Sequence, residues 1–251
     1  MVKFGLVGEG PIDQTVIENI LLGYFEKIED ELIINYVEPP RPLTDAPAGW
    51  GHVFKWLERR RYEGALQYLD YLVIHIDTDV QEEGGFDVPR AEGGKPLSVP
   101  ELVDRVINRL KKEIDPAFCH ANAHRILFAI SVGSIECWLL PLLYLDKKAA
   151  KITGCEESAN RALRKADRNA LSAGREKFLQ SYEDLSSEYR KRKRLMQLRD
   201  KNPSLGLFVQ QLDDLQKKGS SADRLSACEE RDSTVLPADA RPGNQPTDSA
   251  G

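Results

Sequence analysis

The chain has no apolar run approaching the roughly 20 residues that a membrane span requires, and it has no internal repeat. Its N-terminus shows no signal-peptide pattern, because Met1-Val2-Lys3 enters a strand-like run that Glu9 interrupts early. Cysteine is sparse: Cys119, Cys137, Cys155 and Cys228 are scattered without CxxC spacing. That pattern argues for reduced thiols in a cytoplasmic protein, against disulfides and against zinc ligands. The four histidines add no zinc site. His120 and His124 have i, i+4 spacing, but Ala121-Asn122-Ala123 between them reads as a turn leading into a strand. An excess of positive charge is also lacking: the net charge is −5 over 251 residues, which excludes a binder of nucleic acid that is basic throughout. What remains, 41% hydrophobic and 30% charged residues, fits one large or two small soluble globular domains.

Local patterns then define elements. Val2–Val7 reads as a buried strand, followed by a helix from about Asp13 with Ile17, Ile20, Leu21, Tyr24 and Ile28 at helical spacing. Leu32–Val37 is a second strand, and Glu38-Pro39-Pro40-Arg41-Pro42 a loop. A helix is expected from Trp50 to Tyr68, then a third strand over Leu69–Ile76 whose continuous apolar core suits burial on both faces. Residues 80–97 form a long glycine-rich, acidic loop, a length that is uncommon without a function. Ser98-Val99-Pro100-Glu101 is a capping box with a first-turn proline, opening a helix that carries Val103, Val106, Ile107, Leu110 and Ile114. Arg125–Ser131 is a fourth strand. Ser134 caps a short helix that Pro141 should bend or shorten.

Strands alternating with helices predict an α/β fold, a mainly parallel sheet with helices on both faces, over residues 1–145. A helical C-terminal part is expected over 146–218. It includes one long helix from Gly174 to Arg199, bearing Phe178, Tyr182, Leu185, Tyr189 and Met196, and a last helix after Asn202-Pro203-Ser204. Residues 219–251, rich in Ser, Ala, Asp, Pro and Gly, read as a disordered tail.

In a parallel sheet, ligands gather at the carboxyl ends of the strands. Glu9 ends the first strand and Asp77-Thr78-Asp79 the third, so one fold rule brings these carboxylates together. If the third strand continues through Asp79, Asp77 and Asp79 share a side and Thr78 faces away. Glu136 sits in the first turn of the helix after the fourth strand, where an acid also offsets the helix dipole. Asp13 reads as a helix N-cap or an auxiliary ligand. Oxygen ligands of this kind suit Mg²⁺ or Mn²⁺, and such ions serve phosphodiester hydrolysis. Two basic blocks, Arg59-Arg60-Arg61 and Arg190-Lys191-Arg192-Lys193-Arg194, could meet a phosphate backbone or form solvated helix faces. Their candidate nucleic-acid contacts are Arg59, Arg60, Arg61, Arg190, Arg192 and Arg194.

Val7-Gly8-Glu9-Gly10-Pro11-Ile12-Asp13 resembles the "EGPTD" opening of TOPRIM domains, with Ile12 where Thr or Ser is usual. Asp77-Thr78-Asp79 resembles their DxD motif, and the segment Ile130–Leu140 resembles the "ISVxxIExWLL" stretch of small TOPRIM-like families related to OLD-type and RloB-type proteins. Asn202–Phe208 looks like their closing helix, so the resemblance covers residues 1 to about 217. It implies a Rossmann-like core in which Glu9, Asp77 and Asp79 bind magnesium, with Glu136 a further ligand or a water-positioning residue. Lys147, Lys148 and Lys151 are candidate auxiliary lysines by position. The resemblance also implies a metal-dependent nuclease of prokaryotic antiviral defence, with a nucleic-acid substrate and a co-encoded ATPase partner. It leaves a homo-oligomer open.

Two other readings compete. Tyr71–Val80 also resembles the DxDxV strand of haloacid-dehalogenase-like phosphatases, with Asp77 as nucleophile, Asp79 as acid/base and Ser131 as a second motif. A non-catalytic adaptor of an ATPase, holding an ion for structure alone, is the third.

Overall fold

The computed structural model describes residues 1–41, 49–171 and 175–232. Four parallel strands, β1 (Val2–Val7), β2 (Leu32–Glu38), β3 (Tyr71–Asp77) and a later strand over Ile126–Ser131, form a sheet with that last strand on one edge and β2 on the other. β1 and β3 lie side by side in the middle. A two-stranded hairpin, β4 (Ala91–Glu92) and β5 (Lys95–Pro96), occupies the acidic loop, so Ile126–Ser131 is β6. The alternation of strand and helix that the sequence shows is therefore the α/β fold observed.

Helices α1 (Pro11–Tyr24), α2 (Trp50–Glu58), α3 (Arg61–Ala65), α4 (Val99–Lys111) and α5 (Pro116–Ala121) precede β6. After it come α6 (Ile135–Leu143), α7 (Cys155–Lys165), α8 (Arg175–Ser186), α9 (Arg192–Leu198) and α10 (Pro203–Asp232). Side chains alternate along each strand, and the two faces bury different partners. Leu72, Ile74 and Ile76 of β3 pack with Phe128 and Ile130 of β6 against Val53 and Leu57 of α2 and Val106 and Leu110 of α4. On the other face, His75 meets Trp138 of α6 edge-on at 6.2 Å, and Trp138 stacks on Phe208 of α10 at 5.5 Å. The Trp138 indole N–H donates to Ser204 Oγ at 2.8 Å.

Four local readings are corrected. The cap of α1 is Gly10, not Asp13. Pro11 takes the first helical position, where its fixed φ fits, and Asp13 falls in the first turn, buried. The helix expected over Trp50–Tyr68 breaks at Arg60, which adopts a left-handed φ of 52°, and strand β3 begins only at Tyr71. Arg59–Arg61 thus occupy a helix break and not a continuous face. Likewise the long helix expected over Gly174–Arg199 is interrupted by a 3-10 turn at Ser187–Arg190 and restarts as α9. The physical cause is Tyr189. It is fully buried, its hydroxyl donates to the Trp138 carbonyl, and its own carbonyl crosses α1 at Gly23. Phe178 lies outside the residues whose side chains are described.

The fourth correction concerns cysteine. Cys137 in the first turn of α6 and Cys155 at the start of α7 form a disulfide with a Cα–Cα distance of 5.0 Å, inside the range a bridge requires. A separation of 18 residues gives no motif signal; the pairing arises because α7 folds back beside α6. Cys119 is a free thiol. The argument for a cytoplasmic location from unpaired thiols loses its support. Among the described residues no helix is long and apolar enough to cross a membrane.

The packing divides the chain into two units, Met1–Asp213 and Asp214–Gly251. In the second, Lys217 pairs with Asp214 at 3.3 Å along α10. That helix runs on to Asp232, beyond the expected start of the tail at 219, and residues 233–251 of the expected tail lie outside the described residues.

A Cβ at Gly23 would lie 1.7 Å from the Tyr189 carbonyl oxygen, a backbone atom that cannot swing aside. Gly23→Ala should destabilise the protein by about 1–3 kcal/mol, the usual range for overpacking. Urea unfolding measures this, and an unchanged midpoint would remove Tyr189 as the pin of the C-terminal helices.

Candidate metal centre

Register places the acids. Val7 of β1 pairs with Ile74 of β3, and Asp77 pairs with Ser131 of β6. Glu9, two residues past Val7, thereby comes level with the end of β3. Its Oε1 accepts a 2.7 Å hydrogen bond from the Asp77 backbone N–H. The Trp50 amide at the start of α2 favours the same carboxylate, and the Glu9 carbonyl accepts from Gly49 N–H at 2.8 Å. Glu9 therefore ties β1, β3 and α2 together at the carboxyl edge of the sheet, at the point where the strand order reverses, the place where open α/β sheets bind ligands.

β3 ends at Asp77, so the alternation argument for Asp77 and Asp79 does not apply beyond it. Thr78 does turn inward. Its N–H donates to the carbonyls of Ser131 and Gly133, and its hydroxyl accepts from Gly133 N–H at 2.8 Å. Gly133 has a φ of +89°, and a Cβ there would strike the Ile152 carbonyl oxygen at 2.3 Å, so only glycine fits this turn. Asp79 lies exposed in the following turn, whose carbonyls are held by the Arg90 guanidinium, bonded to Thr78 O at 3.2 Å and to Asp79 O. Glu136 accepts hydrogen bonds from the Tyr182 hydroxyl and from Ser134 Oγ.

Asp77, Asp79 and Glu136 line one cleft of about 790 Å³, shared with Arg90 and Gln81. Glu9 stands behind Asp77, outside that lining. Asp13 reaches the group from α1. The connecting side chain is His75, which the sequence reading passed over. It is fully buried, with Nε2 3.3 Å from Asp77 Oδ1 and 3.0 Å from Ser131 Oγ, and Nδ1 3.9 Å from Asp13 Oδ2. A signal was present: His75 interrupts an apolar strand two residues before Asp77, hence on the same face. Gln81 was also missed; it is buried, and neither end of its amide has a partner in the structure.

The electrostatics record the crowding. Burial raises the Asp77 carboxyl well above the ordinary value, and Glu9, Glu136 and Asp79 raise it further. Burial likewise raises Asp13 well above its ordinary value, opposed by His75 and reinforced by Asp77, Glu9 and Glu136. Glu9 and Asp79 are raised too, chiefly by burial. Tyr182 is pushed up by burial and by the Glu136 charge beside it.

The other expected site residues are engaged differently. Lys151 borders the cleft, its Nζ held by Ser158 Oγ at 2.5 Å and by the carbonyl of the lining residue Gly154 at 3.5 Å, while Lys148 stands over the Tyr144 ring at 5.2 Å and Lys147 is exposed. The cation observed at the DxD turn is Arg90. Arg190 bonds Asn19 Oδ1 and Glu183, and Arg192 bonds the Tyr24 carbonyl and covers its ring. Arg190 thus fastens the 3-10 turn before α9 to α1 and α8, and Arg192 fastens α9 to α1.

Chemically the donor set is all oxygen, which fits a hard divalent ion. Asp77 Oδ1, buried and without a hydrogen-bond partner, is the atom such an ion would satisfy. Among the described residues, no three His, Cys, Asp or Glu side chains are arranged to hold a metal as they stand. Glu9 and Glu136 each take hydrogen bonds from the protein instead. No family model, curated protein or solved structure matches the chain.

Raised carboxyl pKa values mean that the folded protein keeps protons the unfolded chain has lost. Above the ordinary values of 3.8 for Asp and 4.5 for Glu, these groups therefore make stability fall as pH rises, until their folded pKa values are passed. Asp13→Asn removes one such group without changing shape. Its gain in Tm over the parent, measured without divalent ions, should be larger at pH 8 than at pH 5. An equal change at both would show that Asp13 ionises normally.

Proposed function

We propose that this chain hydrolyses phosphodiester bonds of a nucleic acid with Mg²⁺ or Mn²⁺ held by Asp77, Asp79, Glu136 and Glu9. The observation that carries the reading is Asp77, which lines the cleft with a buried Oδ1 that accepts no hydrogen bond and has only the His75 ring nearby at 3.3 Å, among like charges that one divalent cation would offset. The motifs that resemble TOPRIM domains fall on the same residues and support it. A metal ion bound there supplies charge neutralisation at the phosphate and a more acidic water.

The chain's own groups have separable parts. His75, wedged between Ser131, Asp13 and Asp77, orients the Asp77 carboxylate from beneath. Tyr182 and Ser134 orient Glu136. Arg90 fixes the turn that carries Asp79 and brings a positive charge to the cleft, where an anionic substrate arrives. A role in antiviral defence beside a co-encoded ATPase, in the cytoplasm, extends the same proposal and rests on the resemblance alone.

A second reading, a non-catalytic adaptor, is favoured by one observation: Glu9 is already engaged by the Asp77 and Trp50 amides, as a structural clamp would be. The phosphatase reading shares Asp77 and Asp79 and predicts a trapped aspartyl-phosphate, which the metal-dependent reading does not.

Losing a group that merely orients a metal ligand costs about 10–100-fold, so losing the ligand itself should cost at least about 100-fold. Asp77→Asn should therefore abolish magnesium-dependent cleavage of DNA or RNA while circular dichroism stays native. Cleavage at the parental rate would refute the site. Calorimetric magnesium binding by a parent protein that cuts no substrate would favour the adaptor.

A further inference from the structure

A second, smaller cleft of about 160 Å³ lies beside edge strand β2, lined by Glu38, His52, Lys55, Trp56, Arg59 and Arg61. His52, Lys55 and Arg59 stand at i, i+3 and i+7, one side of α2 and its end. They span about 10 Å along the axis at 1.5 Å per residue. Among the described residues neither Lys55 nor Arg59 pairs with an acid, and Arg61 reaches Glu38 only at 3.8 Å. Several arginines elsewhere are neutralised: Arg105 by Glu92, Arg109 by Glu113, Arg161 by Glu157, Arg199 by Asp213. Arg60, inside the basic triplet, is itself taken by Glu63 and Asp115. In a chain of net charge −5, this cleft is a local concentration of unspent positive charge.

Its place in the fold sets it near the carboxylates. Glu38 closes β2 at the carboxyl edge of the sheet, where its carbonyl accepts from Gly8 N–H at 2.8 Å. The first residue of α2, Trp50, donates its amide to Glu9. The basic cleft therefore lies beside the edge that carries the carboxylates, between the end of β2 and α2. We propose that this cleft docks the phosphate backbone of a nucleic-acid strand, with Lys55, Arg59, Arg61 and His52 meeting successive phosphates. About 10 Å spans some three phosphate-to-phosphate steps at about 3.4 Å per residue of a stacked strand. The choice of occupant rests on the phosphodiester reading, and it makes the substrate a polymer gripped beside the cleft, not a small phosphate ester.

The test is binding, read without cleavage. Fluorescence anisotropy with a labelled single-stranded oligonucleotide is run on the full chain in EDTA across a salt series. Lys55→Glu/Arg59→Glu should weaken binding about tenfold or more and flatten the slope of log K against log salt by about 1–2. The milder Lys55→Gln/Arg59→Gln pair should shift both in the same direction by less, which guards against a folding defect in the first. Lys3→Glu/Lys112→Glu makes the same charge change at the amino edge of the sheet and should leave affinity within about twofold. Equal losses in the two Glu pairs, or no binding by the parent protein, overturn the proposal. Neither result bears on magnesium-dependent cleavage, which the Asp77→Asn comparison decides.

Discussion

The bond from the Asp77 amide to the Glu9 carboxylate is the constraint on which the carboxyl edge depends. A parallel pair needs no such link to form its ladder. Here the link is made one step beyond the ladder, where the chains would otherwise diverge into separate loops. It holds the turn after β1, the turn after β3 and the start of α2 in one arrangement. With those fixed, Thr78 reaches across to Gly133 and aligns the start of α6, so Glu136 arrives from the helix that follows β6. The acids converge because backbone groups force them to, at a cost, chiefly of burial and secondarily of charge repulsion, visible in four raised carboxyl groups.

That cost explains the polar layer beneath the edge. His75, Ser131 and Asp13 are buried between the sheet and α1 in positions an apolar core would fill more stably. They sit directly under Asp77 and nowhere else in the strand, which ties their placement to the carboxylate. On the opposite face of the same strand Leu72, Ile74 and Ile76 are wholly apolar. The asymmetry separates a face that holds the fold from a face that also holds a charged group.

Much of the fold was legible because its signals are local. The apolar runs of β1, β3 and β6, the capping box at Ser98 and the cap at Ser134 each depend on neighbours within four residues. Glu9, Asp77 and Glu136 were legible as well, since strand ends in a parallel sheet must meet at one edge. The failures share a cause. Tyr189 breaks a helix whose periodicity continues through it, because a distant carbonyl and α1 hold it. Arg60 breaks another by a left-handed turn that its sequence does not signal. The lysines chosen by position do not stand at the DxD turn, where Arg90, carried in just before the β4–β5 hairpin, holds the carbonyls.

The alternation of the four sheet strands with helices, and the edge where the acids gather, follow from the residue pattern alone, since periodicity and turn chemistry act over a few residues. Which partners those acids take does not. The pairing of Cys137 with Cys155, the seat of His75 under Asp77 and the unpaired charge at Lys55 and Arg59 were decided by long-range packing, because each depends on groups that only the folded backbone brings within a few ångströms.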